Sequence, residues 1–107
     1  MKYLLLAMTF ISVSSYAAGG TGLRKILGIG CHNGGDPVCY VTIEGAPVGP
    51  AGCNSTSIRW DSSLAGGKNQ FALLTAAFMA GKPVDLFIMD TCFPLQPGYP
   101  TFSFSNL

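Results

Sequence analysis

The chain has 107 residues, 49% of them hydrophobic and only 10% charged, with six basic and five acidic side chains and a net charge of +1. So few charges among so many apolar residues exclude a disordered tail, and the near balance of signs removes the long-range attraction that nucleic acid or anionic lipid would need. The length suits one small domain and is too short for two.

Residues 1–17 read as an export signal. Lys2 supplies a short positive start, Tyr3 to Val13 is an apolar run too short to span a bilayer, and Ser15 and Ala17 put small residues at the −3 and −1 positions of a cleavage site. Cleavage after Ala17 leaves a mature domain of residues 18–107, in which five basic residues balance five acidic ones. Export places the protein in the periplasm or outside the cell. There its four cysteines, Cys31, Cys39, Cys53 and Cys92, are expected in disulfides. Beyond the leader the longest apolar stretch, Phe71 to Ala80, is about half of the roughly 20 residues that a spanning helix needs, so no membrane insertion of the mature, soluble protein is expected.

The mature segment then alternates short patterned runs with Gly and Pro punctuation, which predicts a mostly β domain with one helix. Leu23 to Ile29 makes a first strand, and HNGGDP at 32–37 supplies a hairpin turn. Val38 to Glu44 alternates, with Cys39, Val41 and Ile43 forming a uniformly apolar face. GAPVGPAG at 45–52 interrupts the sheet, because proline lacks the ladder donor and glycine weakens extended order. A third strand runs from about Cys53 to Trp60.

Asp61, Ser62 and Ser63 are N-cap candidates for a helix over Lys68 to Ala80, which Gly81 would end. Phe71, Leu74 and Phe78 form its core-facing stripe. Leu73, Ala76, Ala77 and Ala80 keep the flanks apolar, so a second covering surface, and with it a homo-oligomer, is expected. Val84 to Met89 alternates as strand four. After the proline-broken stretch Phe93 to Pro100, TFSFSN makes strand five with Phe102 and Phe104 on one face.

The inventory for chemistry is thin, and no enzyme is expected. His32 is the only histidine and reads as a solvated turn residue rather than a catalytic base. Cys31, His32 and Cys39 could be imagined around zinc, but their spacing matches no common site and export favours disulfides, so neither metal nor other cofactor is expected. Asp85 and Asp90, five apart on a strand, point to opposite faces. Trp60 could offer a stacking platform for a sugar, but its place after Ile58 favours the core, flanked by Arg59 and Asp61 as ordinary exposed residues. Asn54-Ser55-Thr56 fits a glycosylation acceptor, a pattern common by chance.

The run GCHNGGDPVCYVTIEGAPVGPAGCNSTSIRWD, then LLTAAFMAGKPVDLFIMDTCF and the PTFSF tail, resembles a group of small exported bacterial proteins of unassigned function. More distantly, the cysteine strand, the Ser57, Ile58, Trp60 triplet, the helix ending at Ala80-Gly81 and the strand after it are similar to the receptor-binding B subunits of pertussis-like toxins, such as those of subtilase cytotoxin and typhoid toxin. That resemblance implies a five-stranded OB-like barrel with the helix between strands three and four, the order read above, and rings that bind sialylated glycans. No position matches a sugar-contacting residue of those toxins. The four cysteines allow three pairings. The group of small exported proteins implies a Cys53–Cys92 unit, and Cys31 and Cys39 flank a hairpin turn at a separation compatible with bridging, so Cys31–Cys39 with Cys53–Cys92 is expected, whereas the toxins imply Cys39 with Cys53. Two functions follow as expectations: a secreted non-enzymatic binding module with a glycan as ligand, or a structural or inhibitory protein acting through protein contact.

Overall fold

The computed structural model describes residues 17–107. The elements are β1 (Gly19–Gly20), β2 (Ile26–Cys31), β3 (Val38–Ile43), β4 (Ser57–Asp61), α1 (Ala65–Ala80), β5 (Asp85–Cys92) and β6 (Pro100–Asn106). The expected leader lies outside the described residues apart from Ala17. Among the described residues no helix is long and apolar enough to cross a membrane.

The strands form two antiparallel three-stranded sheets, β2-β3-β4 and β1-β5-β6. Six strands therefore replace the five expected. The additional one is the glycine pair Gly19-Gly20 on Ile88 and Phe87 of β5, which has no side chains to register in a hydropathy pattern. The expected first strand also shifts, from Leu23–Ile29 to Ile26–Cys31, while Arg24 makes a separate bridge to Val84. That bridge, with N–H to O distances of 2.8 and 2.9 Å, joins the two sheets on one side. On the other side β4 and β6 share no ladder, and Trp60 meets Phe102 edge to face at 5.3 Å instead. The expected barrel is thus not closed by hydrogen bonds.

Inside, the alternation predicted for β3 holds: Cys39, Val41 and Ile43 are buried, together with Ile58 and Trp60 of β4 and Leu86 and Ile88 of β5. Each fully buried aliphatic side chain contributes about 1.5–3 kcal/mol. Phe102 and Phe104 do not share a face. The register steps from Phe87↔Phe104 to Ile88↔Phe102, a bulge at Ser103 that turns Phe102 inward and leaves Phe104 stacked on Phe87 outside, 4.9 Å between rings.

Helix α1 begins at Ala65, three residues before the expected start, and its N-cap is Leu64 with no side-chain cap bond. Asp61 and Ser63 instead bond to each other in the preceding turn. Gly66 and Gly67 are weak helix formers, yet the first turn needs one of them: a Cβ on Gly67 would lie 1.9 Å from the Asp61 carbonyl oxygen. That close approach also lets the Trp60 indole N–H donate to the Gly67 carbonyl at 2.9 Å. The helix ends as expected at Gly81, whose φ of 68° is left-handed, with Gly81 N–H on Phe78 O and Lys82 N–H on Ala77 O. Its inner face is Leu74 and Ala77. Phe71 and Phe78, expected in the core, are each 37% exposed, because the buried line runs one residue inside the predicted stripe. The proline-broken stretch 93–99 folds toward β4, where Gln96 and Tyr99 meet Arg59.

The cysteines are joined as Cys31–Cys39 and Cys53–Cys92. The first links directly opposed residues of β2 and β3, and the second ties the segment before β4 to the end of β5 across 39 residues. No cysteine is free.

Candidate functional site

The pleat of the β2-β3-β4 sheet sends alternate residues outward, and one cross-strand row of the outer face reads Gly30, Tyr40, Arg59. Gly30 leaves room for the Tyr40 ring, whose hydroxyl would stand 2.7 Å from any Cβ at that position. Arg59 reaches past Tyr40, its guanidinium carbon 5.1 Å from that ring centroid, and lies 3.6 Å from the centroid of Tyr99 in the β5–β6 connection. From the same connection Gln96 Oε1 accepts a 2.6 Å hydrogen bond from an Arg59 terminal nitrogen. That nitrogen is 3.4 Å from His32 Nε2, and the His32 ring meets Tyr40 edge-on.

Five side chains from the β2–β3 turn, β3, β4 and the β5–β6 connection thus converge on one face. The guanidinium partners are an amide, an imidazole and two phenol rings, none of them an acid. The Arg59 Nε is enclosed without a hydrogen-bond partner among the described residues. Its half-buried charge is therefore held in place by neutral groups and not paired with an acid among these partners.

This arrangement corrects the reading of Arg59 as an ordinary exposed residue: outward position was legible, but its partners stand 19 to 40 positions away in sequence. His32 is in a solvated turn as expected and touches Arg59 and Tyr40. Trp60 has the core role, 5% exposed, pinned by Phe102 and Gly67. Both cysteines of the imagined zinc set are spent in one disulfide, and no group of three metal-binding side chains stands together among the described residues. Asp85 accepts from the Gly22 N–H at 3.1 Å and so anchors the N-terminal segment, away from Asp90.

A second feature lies where the two sheets meet. A groove of about 640 Å³ runs between the first turn of α1 and β6, floored by Trp60, Phe93 and Phe102 and rimmed by Leu64, Met89 and Leu95. Among the described residues, Asp61 is the only charged one that lines it. The hydroxyl and then the amide of Ser63, both donating to Asp61 Oδ1, hold that carboxyl below the usual carboxylate range. A pKa lowered on folding stabilises the turn above the ordinary range and loses that stabilisation as pH falls through the lowered value. Acid titration followed by NMR is expected to show the Ser63 amide shifting with Asp61, and an Asp61→Asn variant to lose that shift.

No protein-family model, curated protein or solved structure matches the chain.

Proposed function

We propose that this chain is an exported, non-enzymatic binding module that takes a glycan on the outer face of β2-β3-β4, around Arg59. The observation that carries the reading is the convergence of Tyr40, Arg59 and Tyr99 with His32 and Gln96 on one face. Ring edges and faces suit the C–H surfaces of a sugar, and the amide and imidazole can exchange hydrogen bonds with hydroxyls. The guanidinium has no acidic partner on this face, so it favours a ligand that brings an anionic group, such as the acidic sugars that the toxin-like resemblance implies.

The architecture adds support by analogy. Strands β2 to β6, with the helix after the third of them, follow the order of an OB-type barrel, partly open here at β4 and β6. In OB barrels the second and third strands and the loops 1–2 and 4–5 hold the ligand. In this chain those elements are β3, β4, the 32–37 turn and the 93–99 connection, from which the Arg59 cluster is built. Fold analogy alone would not name a ligand.

Purified domain 18–107 on an array carrying neutral and sialylated glycans tests the reading. Binding to acidic glycans is expected, with Arg59→Ala and Tyr99→Ala each weakening it by about tenfold or more while circular dichroism stays unchanged. Absence of glycan binding, or binding indifferent to both substitutions, would sink it. The alternative, a structural or inhibitory protein acting through protein contact, rests on the apolar groove rather than on this face.

A further inference from the structure

Four asparagines occur in the chain, and Asn33, in the 32–37 turn, is the one followed by a glycine. The glycine matters because its backbone nitrogen, unshielded by any Cβ, can approach the carbonyl carbon of the asparagine side chain. Both residues are exposed, and a Cβ built on Gly34 would meet nothing within 4 Å, so the surroundings leave the pair room to rotate. The turn engages the Gly34 carbonyl, which accepts from the Asp36 N–H at 2.7 Å, but the Gly34 N–H has no hydrogen-bond partner among the described residues. The other three asparagines are held. Asn54 donates through its side-chain amide to the Gly49 carbonyl at 3.1 Å, Asn69 lies inside α1, and Asn106 pairs with Asp85 in the β5-β6 ladder.

We propose that Asn33 is a self-modification site, which converts with time to aspartate and isoaspartate and so loosens His32 from the face around Arg59. The Gly34 nitrogen, having given up its proton to base, attacks Asn33 Cγ; a C–N bond forms, the side-chain nitrogen leaves as ammonia, and a cyclic imide closes. Water then opens the ring. Opening at Cγ gives aspartate, and opening at the backbone carbonyl gives isoaspartate, so the net exchange is water for ammonia. Either product adds one negative charge to the segment 18–107, whose five basic and five acidic residues balance. The isoaspartyl product also routes the main chain through Cβ, which inserts an additional atom directly after His32. His32 is held there by a backbone bond, its N–H to the Val38 carbonyl at 2.8 Å, just beyond the Cys31–Cys39 link. A lengthened turn displaces that closure and draws the ring away from Tyr40 and Arg59, which it touches in the unmodified chain. The conversion does not depend on the glycan reading.

Incubation of the folded domain 18–107 in neutral to mildly alkaline buffer, followed by peptide mapping with mass spectrometry, tests this inference. Asn33 is expected to convert about tenfold or more faster than Asn54, Asn69 and Asn106, with isoaspartate among its products and a rate that rises with pH. Gly34→Ala is expected to slow the conversion by about tenfold or more. That variant leaves the fold intact, because its Cβ enters open space on a backbone that is not left-handed, whereas Gly35, with φ of 68°, would be strained by the same change. The isoaspartyl form, separated by ion exchange, is expected to show shifted NMR signals for the His32 and Tyr40 rings and unshifted ones for Leu74 and Ile88 in the core. Conversion of Asn33 no faster than that of the other three, conversion indifferent to Gly34→Ala, aspartate without isoaspartate, or an isoaspartyl form with an unshifted His32 ring would each overturn the inference.

Discussion

Replacing Cys53 and Cys92 together by alanine is expected to lower the unfolding free energy by about 4 kcal/mol, against about 2.5 kcal/mol for the same change at Cys31 and Cys39. The difference follows from loop length. Cross-links that close 39 and 8 residues of chain remove unequal amounts of freedom from the unfolded state, and the chain-entropy account converts these lengths into those energies. A small domain has a net stability of about 5–15 kcal/mol, so the first loss takes a large share of it. The longer link also closes a region that no ladder closes: it joins the approach to β4 to the end of β5, near the side where β4 and β6 meet only through side chains. Urea unfolding of the two double variants measures both values. Equal losses would show that loop closure is not what the links contribute.

Leu74→Ala is expected to cost about 2–5 kcal/mol, whereas Phe71→Ala and Phe78→Ala cost roughly 1 kcal/mol each. Leu74 is fully enclosed, packed in the one core that both sheets share, so its removal opens a cavity with little room to collapse. The two phenylalanines have larger side chains but keep more than a third of their surface in water, and so less is lost when they are truncated. Thermal and urea unfolding of the three variants ranks them. A Phe71→Ala loss as large as that of Leu74→Ala would mean that the outer helix face is covered in solution.

The strands whose side chains alternate strictly are legible in the sequence: Cys39, Val41 and Ile43 point inward as their period demands, and Gly81 ends the helix because its left-handed backbone suits glycine. The misreadings have local physical causes. Gly19 and Gly20 pair as a strand through backbone alone, which hydropathy cannot register. The bulge at Ser103 breaks period two between Phe102 and Phe104, and nothing in TFSFSN marks it. Sequence propensity starts the helix too late because Gly66 and Gly67 are poor helix formers, while the tertiary demand, the approach of Gly67 to the Asp61 carbonyl, overrides it. Least legible was the face around Arg59. Its outward orientation follows from Ile58 and Trp60 pointing in, but Gln96 and Tyr99 reach it only once the β5–β6 connection has folded back over the sheet.

Gly30 limits how this protein can acquire new specificity. Its backbone is not left-handed, so conformation alone would admit any residue there. What opposes a side chain is the far end of the Tyr40 ring, which stands where a Cβ would go. A substitution at Gly30 has to move Tyr40, and with it one of the two rings beside Arg59. Mutational drift or a selection library therefore cannot change Gly30 without rearranging the centre of the face. Diversity accumulates instead in the 32–37 turn and the 93–99 connection, surface segments that tolerate insertion and exchange. Descendants of this fold would keep a common middle and differ at the rim.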